Sequence, residues 1–157
     1  MKSATFELRQ ETAEDEAFLR RLFFAIRQGE FAPLGLPAPQ LEMMLMLQFN
    51  AQRTQYRLAY PDTDWQIVER DGNPVGRLYV TRRSHAHLLT DISLLPEWCG
   101  WGIGSALLDG MIADARSADL PIHLTVRPEN PARRLYQRKG FVETGFEGPD
   151  ITMAWMS

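Results

Sequence analysis

The segment Leu94-Leu95-Pro96-Glu97-Trp98-Cys99-Gly100-Trp101-Gly102-Ile103-Gly104-Ser105 constrains this chain more than any other. A strand runs into it and Pro96 stops that strand. Three glycines then alternate, and Ile103, Ala106, Leu107 and Met111 follow on one side of a helix. Glycine lets the backbone pass close to a ligand. A helix N-terminus adds unpaired N–H donors and a partial positive charge. Together they suit an anion, most often a phosphate or diphosphate; a tight strand–helix connection that binds nothing has the same local pattern. Two other phosphate loops fit poorly. A nucleotide P-loop needs Gly-Lys-Ser/Thr, and here Gly104 is followed by Ser105-Ala106. The dinucleotide fingerprint needs a third glycine where Ser105 stands.

The rest of the chain alternates strands and helices. A first strand is expected over residues 4–9. A helix follows from the Thr12-Ala13-Glu14-Asp15 start, with Phe18, Leu22 and Ile26 at helical spacing and Gly29 at its end. An apolar, proline-stiffened loop over residues 30–39 leads to a second helix over 40–56. Strands are expected over 64–70, 75–82, 86–95, 121–126, 141–146 and 151–156, the first two joined at Asp71-Gly72-Asn73-Pro74. A short helix over 130–139 has Asn130 as its cap and Pro131 at its first position. The order implies an α/β (α+β) fold as a single domain over 1–157, with a mixed, mostly antiparallel sheet of about seven strands and helices on both faces. A length of 157 residues fits one core.

Charge and composition exclude several classes. Seventeen basic against 20 acidic residues give a net charge of −3, which argues against a duplex nucleic-acid partner. The longest apolar runs, Leu22–Ile26 and Met43–Leu47, have five residues each, against the roughly 20 a membrane span needs. The N-terminus has no signal-peptide pattern, and one cysteine suits a reducing compartment. The expectation is a soluble cytoplasmic protein with no membrane partner.

Two segments resemble the GCN5-related N-acetyltransferase (GNAT) family. Cys99-Gly100-Trp101-Gly102-Ile103-Gly104 matches the two glycines of its [Arg/Gln]-x-x-Gly-x-[Gly/Ala] acetyl-CoA loop, after a strand ending in proline. Downstream, Asn130-Pro131-Ala132-Arg133-Arg134-Leu135-Tyr136 and the following Gly140-Phe141 look like the family's last helix and strand. The helix and strand between them are those the family fold requires. The resemblance implies acetyl-CoA as co-substrate, no metal, and transfer of an acetyl group to a primary amine of a small molecule or peptide. Homodimers are common in the family.

It also implies roles for positions. The loop from Cys99 through Gly100, Trp101, Gly102, Ile103, Gly104 and Ser105 would hold the diphosphate through backbone N–H groups. Pantetheine would lie between two splayed parallel strands, bonded to the backbone near Ile92 and Leu94, with the Leu94 amide polarising the thioester carbonyl. Asn130 would contact pantetheine or cap its helix, and Tyr136 would donate a proton to the leaving thiolate. Cys99 and Trp101 stand where the family usually has Arg or Gln and often a basic residue. Arg133, Arg134 or Arg138 could supply the missing cation, or could simply form a solvated helix face.

The proton acceptor is the open position. Acetyl transfer needs a neutral amine. In some family members the base matches Thr90, and a hydroxyl is a poor base. Asp91 is the carboxylate on this strand. Strand alternation puts it on the face of Leu89 and Ser93, opposite Thr90, Ile92 and Leu94. It would act through a water, bind a cationic acceptor, or be structural. His85 and His87 read as surface histidines rather than a metal pair, and His123 as a structural histidine. Met43, Met44 and Met46 read as core or acceptor-pocket packing. The rivals to an amine transferase are a non-catalytic CoA-binding or sensor module, and a protein or aminoacyl-tRNA acetyltransferase.

Overall fold

The computed structural model describes residues 5–157, so residue 4 of the expected first strand lies outside the described residues. The elements are β1 (Glu7–Gln10), α1 (Glu16–Phe31), α2 (Ala38–Ala59), β2 (Thr63–Arg70), β3 (Asn73–Arg82), β4 (His87–Leu94), α3 (Ile103–Ala118), β5 (Ile122–Val126), α4 (Ala132–Arg138), β6 (Val142–Glu147) and β7 (Asp150–Trp155). The strands form one sheet in the order β1-β2-β3-β4-β5-β7-β6. All its pairs are antiparallel except β4–β5, which is parallel. The expected mixed, mostly antiparallel α/β architecture is what the chain adopts.

Helices cover both faces because each is apolar along one stripe. On one face, Phe18, Leu19, Leu22 and Phe23 of α1 and Leu45 and Phe49 of α2 pack with Ile67 and Leu95. On the other, Ile103, Leu107, Leu108, Met111 and Ile112 of α3 pack with Val68, Leu78, Val80, Leu89 and the inward residues of β5 and β7. Tyr136 of α4 joins this second core. Asp15 anchors the start of α1: its carboxylate accepts from Arg9 at 2.7 and 2.8 Å and from the Thr12 N–H at 2.8 Å. Arg9 above all, less the opposing effect of burial, holds Asp15 below the usual carboxylate range.

The expectations for Gly29, Met43 and His87 are corrected first. Gly29 does not end α1, which continues to Phe31; a 3-10 turn over Ala32–Leu34 follows, and Gly35 takes the left-handed conformation (φ 62°) that breaks the path. The expected long loop therefore shrinks to a short connection. Met43 is 68 % exposed and so is not core, whereas Met46 packs against the α1–α2 core. His87 is buried rather than at the surface. It occupies the stretch where β4 is paired on both sides, to Arg82 and to Ile122.

β4 carries a bulge. Val80 faces Leu89 and Tyr79 faces Asp91, so Thr90 has no partner of its own. The extra residue reverses the alternation beyond it. Asp91 and Ser93 lie on the α1–α2 face with Arg77 and Tyr79, and the Thr90 hydroxyl meets Thr81 on that side at 3.3 Å. Leu89 lies on the α3 face with Ile92 and Leu94. The expectation that Asp91 shares a face with Leu89 and opposes Thr90 is thus overturned, while its pairing with Ser93 stands.

Candidate active site

β4 and β5 are in register only at His87↔Ile122 and Leu88↔His123. From Leu89 onward they part, leaving a cleft of about 310 Å³. Its walls include Thr90, Asp91, Ile92 and Ser93 of β4, Leu124–Val126 of β5, Tyr136 of α4, and Arg27, Gln52 and Tyr56 of the first two helices. The backbone of β4 alternates between its β3 neighbour and this gap. The Leu95 N–H donates to Val75 O on β3 at 2.9 Å. By alternation the N–H and C=O groups of Leu94 and Ile92 point the other way, toward the gap beside β5. An extended ligand in the gap would find a strand edge with open donors and acceptors.

The glycine turn stands at the end of this strand. Residues Pro96–Trp98 make a 3-10 turn, Cys99 is extended, and Gly100 and Gly102 have φ of 81° and 84°. Gly102 caps α3 without a side chain, so no side-chain oxygen occupies the donors of the first turn, Ile103, Gly104 and Ser105. A Cβ on Gly100 or Gly102 would meet nothing within 4 Å, and one on Gly104 would touch only Leu135 at 3.6 Å and Leu94 at 4.0 Å. The space in front of these amides is open. Cys99 is exposed, with Sγ 3.7 Å from Leu95 O. Partial burial and then Glu97 push its thiol up, which keeps it protonated and a weak nucleophile.

Tyr136 and Tyr56 approach the cleft from opposite faces of the sheet. Neither hydroxyl has a hydrogen-bond partner among the described residues. Burial, then Asp91, raises both above the ordinary tyrosine value. Each therefore keeps its proton. Asn130 lines the cleft, and its Oδ1 accepts from the Ala132 N–H at 2.9 Å, capping α4. Arg133 is held by Glu143 at 2.7 Å and Pro128 O at 3.3 Å. Arg134 and Arg138 are exposed and make no ion pair among the described residues.

Asp91 sits in a network that short-range sequence reading does not contain. Arg77 of β3, itself buried, pairs with its Oδ2 and also donates to Gln52 of α2 at 3.0 Å. Ser93 Oγ donates to Asp91 Oδ1 at 2.6 Å. Arg77, Ser93, Gln52 and Tyr56 are the site residues that sequence reasoning missed. A charged residue between Gly76 and Leu78 was the one available signal. His85 and His87 form no metal group, and none is present among the described residues. His123, expected to be a structural histidine, is instead exposed and lines a groove over β5.

The acetyltransferase (GNAT) domain model matches residues 61–143, which holds β2 through α4 and both motifs. The chain belongs to the GNAT acetyltransferase domain family. A curated relative, mycothiol acetyltransferase of Nocardiopsis dassonvillei, is 40 % identical over 73 residues, covering 45 % of this chain and 19 % of that protein. The chain thus matches about a fifth of that relative's length. Among solved structures, PaiA N-acetyltransferase of Thermoplasma acidophilum in complex with coenzyme A superposes with a TM-score of 0.74 at 18 % identity, covering 98 % of this chain and 99 % of that one. An acetyltransferase of Thermus thermophilus gives 0.71 at 21 % identity over the whole of both chains. These likenesses place the GNAT domain on the GNAT fold. No helix of the described residues is long and apolar enough to cross a membrane.

Proposed function

We propose that this chain moves an acetyl group from acetyl-CoA to a primary amine of a small molecule or peptide. The observation that carries the reading is the junction of the open glycine turn with the β4–β5 gap, lined by Tyr136. The amides of Gly100, Gly102, Gly104 and Ser105 receive the diphosphate. Arg134 and Arg138 are the arginines left to meet its charge, since Arg133 is engaged by Glu143. Pantetheine bonds to β4 at Ile92 and Leu94. The thioester carbonyl accepts from one of these two amides: Leu94 on the sequence reading, with Ile92 the one that lines the cleft beside Tyr136.

The amine enters from the α1–α2 side. There the Ser93 hydroxyl, donating to Asp91, keeps lone pairs for an incoming ammonium, and the Asp91 carboxylate attracts it. The proton leaves along Ser93 and Asp91, directly or through water. The neutral amine attacks the thioester carbon, the C–S bond breaks, Tyr136 gives its proton to the thiolate, and the proton that the new amide nitrogen sheds returns through water to the Tyr136 oxygen.

Calorimetric titration with acetyl-CoA tests the reading, with Gly104→Glu as its control. Gly104 has no positive φ, and a Cβ there would make only ordinary contacts with Leu135 and Leu94, so the variant should keep the fold and put a charge where the diphosphate is proposed to lie. Micromolar binding, lost in the variant, supports the reading; an amine panel followed by thiol release then tests turnover. Binding without turnover on any amine would leave a CoA-binding module. Turnover on macromolecules alone would leave a protein or aminoacyl-tRNA acetyltransferase.

A further inference from the structure

Arg70 is the last residue of β2, and its guanidinium lies on the glycine turn. Its central carbon is 5.0 Å from the Trp98 ring centroid and 4.9 Å from that of Trp101. The two indoles are 5.2 Å apart and tilted by 49°. Trp101 Nε1 donates to Glu97 O at 3.1 Å. One cation is thus shared by the two aromatic residues that bracket Cys99 and Gly100. Arg70 Nη1 is buried without a hydrogen bond, as expected of a guanidinium nitrogen laid over ring faces. Its acidic neighbour, Asp71, is 3.7 Å from Nε and 84 % exposed, so the rings rather than the carboxylate set its position.

The turn needs such support. Gly100 and Gly102 both have positive φ, and no atom packs where their side chains would be. A segment built this way has many conformations open to it. Its amides bind an anion tightly only if they converge before the anion arrives. The side chain at 99 adds no cation, and the side chain at 101 is turned onto Arg70 and Trp98.

We propose that Arg70, Trp98 and Trp101 form a clamp that fixes the Cys99–Ser105 turn in its diphosphate-receiving shape, with Arg70 a positioning residue for coenzyme A. The proposal rests on the acetyl-CoA reading above. It assigns Trp101 a task at a position where the family often has a basic residue: the cation comes from β2 and acts on the turn, not on the ligand.

Two measurements on the whole chain decide it. Amide hydrogen exchange over residues 99–105 is followed in the free protein, and acetyl-CoA affinity is measured beside kcat, for Arg70→Ala, Trp101→Ala and Trp101→Phe. The clamp predicts about tenfold faster exchange and about tenfold weaker acetyl-CoA binding in both alanine variants. It predicts kcat at saturation within about twofold of wild type, and recovery of most of both losses in Trp101→Phe. Unchanged exchange and affinity overturn it. So does weaker binding of Arg70→Ala with unchanged exchange, which would make Arg70 a direct phosphate contact. If Arg70→Ala fails to fold, the two Trp101 variants carry the same comparison. If wild-type protein binds no acetyl-CoA, the functional reading fails, and the exchange result alone decides the clamp.

Discussion

Arg77 and Asp91 are ion-paired on adjacent strands in the floor of the cleft, with the guanidinium side chain 4 % and the carboxylate 13 % exposed. A pair this buried costs much in desolvation and is held by its mutual attraction. It also ties α2 to the sheet, because Arg77 reaches Gln52 of that helix.

Removing either partner therefore confounds folding with chemistry, and a double variant separates them. Asp91→Asn and Arg77→Met each leave a buried group uncompensated and should cost about 3–5 kcal/mol in denaturant unfolding. Arg77→Met with Asp91→Leu should cost less than either single change. Its kcat/KM should still stay roughly 100-fold below wild type, because the anion proposed to receive the amine is gone. A stable double variant with wild-type turnover would remove Asp91 from the mechanism.

Tyr136→Phe isolates the proposed proton donor. The ring stays in the α3-side core against Phe141 at 5.8 Å, so the fold should hold. We expect kcat to fall about 100-fold and acetyl-CoA KM to move by less than about threefold. Because burial and Asp91 hold the Tyr136 hydroxyl above its ordinary value, near 10 for a free tyrosine, it stays protonated through neutral and mildly alkaline pH. Wild-type kcat should show no alkaline decline from this group below about pH 10. A pH-independent, wild-type kcat in Tyr136→Phe would end its assignment.

The parts of this site that could be read from sequence are local ones. The turn at Gly100–Gly104 and the helix around Tyr136 announce themselves through residues a few positions apart. The cap at Asn130 is also local, and its side chain does bond the α4 backbone. What could not be read depends on distant partners. A bulge at Thr90 looks like any other strand residue until β3 is laid beside it, and it decides which face Asp91 takes. Arg77 gains its partners only when Asp91, 14 residues later, and Gln52, 25 residues earlier, close on it. Gly29 reads as a helix stop, yet α1 passes through it because the left-handed turn is made at Gly35.

Gly76→Ala should break the strand edge that pantetheine would bond. A Cβ there would lie 2.3 Å from Ser93 O and 2.6 Å from Leu94 Cδ2. The first is a backbone atom of β4, so relief requires the strand to move. We expect a loss of about 1–3 kcal/mol in stability and a raised acetyl-CoA KM. Unchanged melting and KM would show that β4 yields at no cost to ligand binding.

His87 gives the fold a pH dependence of definite sign. Its Nδ1 is buried without a partner, and burial, then Arg82, lower its basicity. Below about pH 6.5 the imidazole of the unfolded chain takes a proton that the folded one resists. The unfolded state then binds more protons, so stability is full above that pH and falls as the pH drops toward the folded value. His87→Leu fills a similar volume and removes both the titration and the unpaired nitrogen. Its advantage over wild type in urea unfolding should grow from pH 7.5 to pH 5.5. The orphaned nitrogen should leave a residual gain of about 1 kcal/mol at the upper pH. An advantage that is constant across this range would show that some other group carries the acid sensitivity.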